Sequence, residues 1–226
     1  MRIIKLEEVD STNEFCKREN CKDDVLVIAK RQIGGRGTKG RSFESFDGGL
    51  YVSVMRHPKN FKAENAFQIL IDGCVAVCKT LEYFDITPAI RWSNDVLVDG
   101  KKICGTLIEN SCSNGYITRS IVGSGINVNN ILSETLSDIA VSMRQIKGKN
   151  YDIDEVLNVY ISNLEKHFAL SDYKRYINWL GKNVILKTSD TQKIVLAVDI
   201  AADGRLIVED GGKILKISSA EVSLRF

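Results

Sequence analysis

The chain has 226 residues, of which 44% are hydrophobic and 27% are charged, and its formal net charge is +2. This composition is that of an ordinary globular protein with room for one large domain or for a large and a small one. The nearly balanced charge does not demand a nucleic acid or a membrane as a partner, and no apolar run approaches the length of a membrane span. The N-terminal segment MRIIKLEEVD is too acidic for a signal peptide, so we expect a cytoplasmic protein.

The six cysteines are scattered along the chain. Without an export signal, a disulfide framework is not expected. Cys74 and Cys78 would share a helix face, but the two histidines, His57 and His167, fall at no zinc-site spacing. We therefore interpret the cysteines as small buried or half-buried residues and expect no zinc site.

Strand and helix patterns alternate over the first 180 residues. Apolar alternation and continuous apolar runs predict strands at 2–9, 23–32, 48–57, 89–95 and 116–130. Helical spacing of apolar residues predicts helices at 10–20, at about 65–84, near 132–146 and at 153–170. The segment 96–110 is predicted to be a hairpin, because Asp99-Gly100 occupies the two-residue turn position.

The pattern changes near Gly181, after which five short β segments follow, separated by turns at Asp203-Gly204 and at Asp210 to Gly212. Several short strands with regular turns are typical of a small barrel of the SH3 type. We therefore predict an α+β protein of two units: a mixed β-sheet flanked by helices at 1–180, and an SH3-like small β-barrel at 181–226.

The segment GGRGTKGR (34–41) reads G-x-G-x-x-G from Gly35, as in a dinucleotide-binding loop. Such a loop requires a helix that begins at the third glycine, whereas RSFESFDGGLYVSV has no helical period. The loop also carries the cations Arg36, Lys39 and Arg41. We predict a flexible cationic flap that closes over an anion. A solvated basic loop is the alternative, and the density of glycines argues against it.

Four motifs, DSTN, RQIGGRGTKGR, RWSNDVLVDGKKICGTLIE and VGSGINVNN, occur in this order. In order and spacing they closely resemble biotin protein ligase, and the resemblance extends over essentially the whole chain, including the C-terminal AEVSLRF. It implies a class II synthetase/biotin ligase-like catalytic domain with biotin and ATP as substrates, assisted by Mg²⁺. Biotin would be activated as biotinyl-5′-AMP and then transferred to a lysine of a biotin carboxyl carrier protein or domain.

The resemblance also implies which residues bind biotin. The DSTN motif would contact the head of biotin, although Ser11 followed by Glu14 also fits a helix capping box. Lys102 would bridge the biotin carboxylate and the α-phosphate, and Arg36 would lie at the carboxylate and the phosphate. The complete set of implied biotin-binding residues is Ser11, Thr12, Asn13, Gln32, Gly35, Arg36, Lys102 and Gly105.

For ATP, Phe43 stands where relatives often carry a tryptophan that stacks on adenine, and a phenyl ring can still stack. The implied ATP-binding residues are Arg36, Arg41, Phe43, Asn94, Lys102, Asn127 and Arg225. Gly123 and Gly125 match the strand that lines the ligand floor. The implied catalytic residues are Lys102, Arg36 and Asp95.

Asp95 would lie near the magnesium ion or near the incoming lysine amine, which it would orient or deprotonate. Trp92 fits the core as well as a ligand wall. The chain departs from the family pattern at Thr38, where many relatives have arginine, and at Ser93, which replaces a proline. The first departure predicts weaker retention of the adenylate unless Lys39 compensates.

Two other functions compete with biotin ligation. One is a lipoate ligase or octanoyl transferase of similar fold, and the other is a nucleic-acid-binding module that uses the basic loop. Some relatives carry an N-terminal helix-turn-helix domain and act as repressors. The chain has ten residues before Ser11, so the expectation is a short form without repressor function and with neither DNA nor a membrane as partner. Homodimerisation and the identity of the acceptor stay open.

Overall fold

The fold was analysed in a computed structural model, which describes residues 1–19, 23–187, 191–219 and, for the backbone alone, 223–225. Two β-sheets organise the molecule. The strands of the first are β1 (Arg2–Val9), β2 (Val25–Gln32), β3 (Leu50–Arg56), β4 (Phe61–Lys62), β5 (Ala89–Arg91), β6 (Asp95–Val98), β7 (Lys101–Ser113) and β8 (Tyr116–Ile126).

The order in the first sheet is β1-β2-β3-β8-β7-β6-β5, with β4 paired to β8. β1 and β2 run parallel, whereas the other pairs are antiparallel. The sheet is therefore mixed, as predicted. Two turns close its hairpins through left-handed residues, Asp99-Gly100 between β6 and β7 and Asn114-Gly115 between β7 and β8.

Helices cover both faces of this sheet. They are α1 (Thr12–Arg18), α2 (Phe67–Tyr83), α3 (Met143–Lys147), α4 (Ile153–Leu164) and α5 (Leu170–Arg175). The large core lies between the sheet and α2, α4 and α5, where Cys74 and Cys78 are buried. A small core lies under α1 on the opposite face and contains Cys16, Val27 and Met55.

The second sheet comprises β9 (Asn183–Lys187), β10 (Gln192–Ile200), β11 (Leu206–Asp210), β12 (Lys213–Ile217) and β13 (Ser223–Arg225). It is antiparallel in the order β12-β11-β10-β9-β13, which is the small β unit that the sequence predicts. Its turn at Gly204 contacts the first unit, because the carbonyl of Gly204 accepts a hydrogen bond from the Trp92 indole at 2.9 Å. Trp92 is thus a core residue. The division of the chain at residue 180 stays a prediction.

Three local predictions were wrong. The helix predicted near 132–146 is a 3₁₀ turn at Glu134–Leu136 followed by the short α3, because the backbone between them forms a parallel bridge from Ala140 to Lys102. The helix predicted at 153–170 ends at Leu164, and α5 begins separately, because Asp72 of α2 accepts the Phe168 amide at 2.9 Å and holds the chain between the two helices. Ser11 is the N-cap residue of α1 but makes no side-chain capping bond. The capping box is absent there because Glu14 pairs with Lys17 and Arg36 instead.

The cysteine interpretation holds for Cys16, Cys74, Cys78 and Cys104, which are all buried. Burial raises the pKa of the Cys104 thiol to about 12, so this thiol stays protonated and unreactive at neutral pH. Cys112 is free and exposed. Cys21 lies outside the described residues.

Candidate active site

A cleft lies on the face of the main sheet that carries α1. Its floor is formed by β7 and β8, and its walls by α1, the glycine-rich loop after β2, and the turn between β5 and β6. The lining residues are Ser11, Thr12, Asn13, Gln32, Arg36, Gly37, Thr38, Phe43, Asn94, Lys102, Gly105, Thr106, Leu107, Gly123, Ser124 and Gly125.

Glycines make the floor flat, so that other side chains can lie directly on the backbone. A Cβ atom on Gly123 would come within 2.1 Å of Asn13 Oδ1, and one on Gly125 within 2.6 Å of Phe43 Cε1. A Cβ atom on Gly105 would lie 2.9 Å from Lys102 Nζ. Each floor glycine therefore makes room for one predicted site residue.

One end of the cleft is polar and ordered by internal hydrogen bonds. The Thr12 amide donates to Gln32 Oε1 at 2.8 Å, and the Gln32 amide nitrogen donates to Ser45 Oγ at 2.8 Å. The Ser53 hydroxyl lies within 2.7 Å of Thr12 Oγ1 and 2.6 Å of Asn13 Oδ1. These contacts fix donors and acceptors before any ligand enters.

The other end of the cleft is cationic. Lys102 Nζ lies 2.6 Å from Asp95 Oδ1 and 5.4 Å from the centre of the Phe43 ring. A register shift places Val96 opposite Cys104 but Leu97 opposite Lys102, so that Ile103 is the extra residue of a bulge. Bulges re-aim side chains in this way beside functional sites.

Asp95 joins this lysine to a second cation, since Arg91 Nη2 contacts its other oxygen at 2.8 Å. Burial alone would raise the pKa of Asp95, but the charges of Lys102 and Arg91 outweigh burial and hold the pKa below its ordinary value. Asp95 is therefore ionised at neutral pH, and it is a weak base.

The glycine-rich loop folds back as a narrow hairpin. Isolated bridges join Gln32 to Ser45 and Arg36 to Ser42, and the tip at 38–40 is a single 3₁₀ turn before β3. The prediction that no helix begins at the third glycine is confirmed. Arg36 is exposed, and its Nη1 lies 3.0 Å from Glu14 Oε1 on α1.

The structure thus brings most of the implied residues into one cleft. Asp95 lies at its wall as the partner of Lys102. Gly35 lies at the base of the loop, where a Cβ atom would come within 2.3 Å of the Phe43 carbonyl oxygen. Arg41 is exposed on the returning limb of the loop.

Two further ATP predictions lie elsewhere. The Asn127 amide donates to the Val141 carbonyl at 3.2 Å and accepts a hydrogen bond from Asn130, and it is not among the described residues that line the cleft. Arg225 belongs to β13 and pairs with Ile185 through its backbone; its side chain lies outside the described residues.

Sequence reasoning missed Ser53, Arg91 and Glu109. The sequence does mark Ser53, because it is a small polar residue within the mostly apolar strand LYVSVMR. In the structure its side chain is fully buried. Arg91 and Glu109 are the two ends of the motif RWSNDVLVDGKKICGTLIE, but their contacts with Asp95 and Asn13 become visible only from the fold.

The side chains that the structure describes do not form a magnesium site held by the protein alone. Both oxygens of Asp95, the predicted ligand, already contact cations. Within residues 1–19, 23–187 and 191–219, no group of three histidine, cysteine or acidic residues could hold a metal ion. Mg²⁺ usually binds through one or two carboxylates together with substrate phosphates.

Comparison with known proteins identifies the class. The profile of the Biotin/lipoate A/B protein ligase family matches residues 6–127, more than half of the chain, and the Biotin protein ligase C terminal domain matches residues 179–225. The chain therefore belongs to the biotin/lipoate A/B protein ligase family. The resemblance to biotin protein ligase that the motifs indicate is confirmed.

Individual relatives agree with this assignment. The bifunctional ligase/repressor BirA of Bacillus subtilis is 29% identical over 236 residues, which cover 97% of this chain and 72% of that protein. The biotin--[acetyl-CoA-carboxylase] ligase of Mycobacterium tuberculosis is 25% identical over 88% of this chain and 79% of its own length.

Solved structures give the same result. The biotin protein ligase of Aquifex aeolicus in complex with biotin and ATP superimposes with a TM-score of 0.85 at 33% identity and covers 99% of this chain and 98% of its own. The biotin protein ligase of Leishmania major in complex with biotinyl-5-AMP superimposes with a TM-score of 0.67 at 25% identity. The match covers 96% of this chain and 99% of that one. Separately, no helix in the described part of the chain combines the length and apolar character needed to cross a membrane.

Proposed function

We propose that this protein is an ATP-dependent biotin protein ligase, which adenylates biotin and transfers it to a lysine of a biotin carboxyl carrier domain. The observation that carries the proposal is one glycine-floored cleft with an ordered polar end and a cationic end. The family assignment and the similarity to enzymes whose structures contain biotin and ATP support it.

The polar end suits the ureido ring of biotin. A cyclic urea offers two N–H donors and a carbonyl acceptor, and the Thr12, Gln32 and Ser53 side chains present complementary groups in fixed positions. The dithiolane ring of lipoate has no comparable donors. It cannot form hydrogen bonds with these polar groups as the cyclic urea can, so we expect lipoate to bind more weakly.

The cationic end suits the meeting of two anions. A carboxylate oxygen of biotin attacks the α-phosphorus of ATP, the bond to the β-phosphate breaks, and pyrophosphate leaves with the electron pair. Lys102 and Arg36 would neutralise the carboxylate and the phosphate, whose mutual repulsion otherwise opposes the attack. Both cations line the cleft and have carboxylate partners, Asp95 and Glu14, from which they would turn to the ligands.

Transfer is a second step, at the carbonyl carbon of the mixed anhydride. The lysine amine of the carrier attacks this carbon, the bond between the carbon and the phosphate oxygen breaks, AMP leaves with the electron pair, and the amine nitrogen releases a proton to water. We propose that Asp95 orients the incoming amine rather than deprotonating it, since its lowered pKa makes it a poor base.

The experiment is biotin-dependent ATP–pyrophosphate exchange with purified protein and Mg²⁺, with lipoate in parallel. We expect exchange with biotin and none with lipoate. Lys102→Ala should lower it on the order of 10²- to 10³-fold, which is typical for one preorganised group. Lys101→Ala is the matched control, because Lys101 contacts the Ser137 carbonyl outside the cleft and should retain activity. Exchange with lipoate alone would replace the substrate assignment.

We also propose a cytoplasmic location, in keeping with the free thiols of Cys74, Cys78, Cys104 and Cys112.

A further inference from the structure

Asn13 is held by Ser53 and Glu109, two residues to which the sequence analysis assigned no role. It is buried against the floor of the cleft, and its Nδ2 donates to Glu109 Oε2 at 2.8 Å and to the Leu107 carbonyl at 3.5 Å. Its Oδ1 accepts a hydrogen bond from the Ser53 hydroxyl at 2.6 Å. Both ends of the amide are therefore engaged.

The carboxylate of Glu109 decides which way this amide points. An ionised carboxylate can only accept hydrogen bonds, so the nitrogen end of Asn13 must face Glu109. The oxygen end then lies over Gly123, where an added Cβ would be 2.1 Å away. Glu109 therefore orients the Asn13 amide so that its oxygen, a hydrogen-bond acceptor, lies at the floor of the cleft.

Lys17 in turn holds Glu109 in place. Its Nζ lies 2.6 Å from Glu109 Oε1 and 2.8 Å from Glu14 Oε1. Burial alone would lower the pKa of Lys17, but the two carboxylates outweigh burial and raise it. Lys17 therefore stays charged at neutral pH. It contacts only Oε1 of Glu109, so that Oε2 is available to accept the hydrogen bond from Asn13.

We propose that Glu109, held by Lys17, is a positioning residue for biotin, which it serves by fixing the orientation of the Asn13 amide. The inference rests on the proposed function, because the acceptor that Asn13 presents is complementary to a ring N–H of the cyclic urea. Glu109 itself contacts no ligand in this account.

The experiment measures the dissociation constant of biotin by calorimetry, without ATP. Glu109→Gln is introduced into the otherwise unmodified protein and into the Asn13→Ala variant. Glutamine can donate as well as accept, so the Asn13 amide becomes free to reverse. We expect binding to weaken about tenfold, the equivalent of one hydrogen bond. In an Asn13→Ala background the same change should alter binding less than about twofold, because its route of action is gone.

Further variants separate positioning from a general loss of structure. Lys17→Met keeps the carboxylate and should weaken binding in the same way but by less, about threefold. Glu7→Gln is the matched control, because it removes a carboxylate paired with Lys30 on the outer strands and should leave biotin binding unchanged. In pyrophosphate exchange, Glu109→Gln should raise the KM for biotin and leave the KM for ATP unchanged.

Three results would overturn the proposal. Unchanged biotin binding in Glu109→Gln would show that Asn13 needs no carboxylate. An equal loss in both backgrounds would show that Glu109 acts by a route other than Asn13. Failure of the unmodified protein to bind biotin would remove the proposed function and this inference with it, and that outcome is distinguishable because it appears without any substitution.

Discussion

The floor of the cleft and the loop above it are both rich in glycine, but for different physical reasons. Floor glycines such as Gly123 lie within paired strands, where the missing side chain makes room for a neighbour. In the loop, Gly40 has no atom near its missing Cβ and a φ of 70°, so it serves the turn of the backbone. Glycine therefore makes room for ligand-site side chains in the floor, whereas Gly40 allows the turn of the backbone in the loop.

The two regions also differ in how firmly they hold their side chains. Floor contacts are anchored by strand ladders on both sides, whereas the loop cation Arg36 is held by one exposed ion pair. We therefore expect substitution of a floor glycine to change activity much more than substitution of a loop glycine such as Gly37.

Gly123→Ala should have the largest effect. The new methyl group would overlap Asn13 Oδ1 and push that side chain off the floor. A displacement of this size costs on the order of 100-fold in activity, to be measured as kcat/KM for biotin in pyrophosphate exchange. Gly37→Ala in the loop is the control, because its Cβ would meet its nearest neighbour at an ordinary 3.5 Å. Equal losses in the two variants would refute the distinction between floor and loop.

Asp95→Asn removes the charge that two cations share at the wall of the cleft. We expect the free energy of unfolding to fall by about 2 kcal/mol, less than for a fully buried pair, because about a quarter of the Lys102 and Arg91 side chains is exposed (27% and 26%). Urea unfolding at neutral pH measures this loss. A stability equal to that of the unmodified protein would contradict it.

The unmodified protein and Asp95→Asn differ in their free energy of unfolding, and the lowered pKa of Asp95 fixes how this difference changes with pH. Because the pKa of Asp95 is lower in the folded protein than its ordinary 3.8, the stabilisation is present above pH 3.8 and is lost as the pH falls through the folded pKa. The difference between the protein and Asp95→Asn should stay constant from pH 5 to 8 and shrink below pH 3.8. A change near neutral pH would point to a raised pKa instead.

Phe43→Ala tests an aromatic contact between loop and floor. The ring lies on Gly125 and near Lys102. If it also stacks on adenine, its loss should raise the KM for ATP about tenfold, in line with the usual strength of aromatic pairs. Phe43→Trp should keep the KM for ATP at the value of the unmodified protein. A rise confined to the KM for biotin would assign the ring to the other substrate.

Glu14→Gln should have the smallest effect. The pair between Glu14 and Arg36 is largely exposed on the arginine side, and such pairs contribute about 0.2–1 kcal/mol. We expect kcat/KM for biotin to change less than about fivefold. A change near that of Gly123→Ala would show that the loop is held as firmly as the floor.

Much of this architecture was accessible from sequence because local rules govern it. Asp99-Gly100 specifies a hairpin turn, the spacing from Ile71 to Leu81 specifies the face of α2, and RSFESF shows that no helix follows the glycine loop. The motif residues that meet in the cleft were reached through the family resemblance.

What stayed hidden depends on partners distant in sequence. The bulge that re-aims Lys102 is an irregularity of pairing with β6 and leaves no mark in the local pattern. The hydrogen bond that Asn13 donates to Glu109 spans 96 positions, and the one that the Phe168 amide donates to Asp72, which ends the helix early, also spans 96. No periodicity within one segment reports such contacts.

The most direct test of the account is a crystal structure of the protein with biotin bound. We predict the ureido ring at the polar end, within hydrogen-bond distance of Thr12 and Gln32, and the carboxylate at the cationic end beside Lys102 and Arg36. A reversed ligand, with its carboxylate at the polar end, would contradict the assignment of the two ends. So would biotin bound outside this cleft.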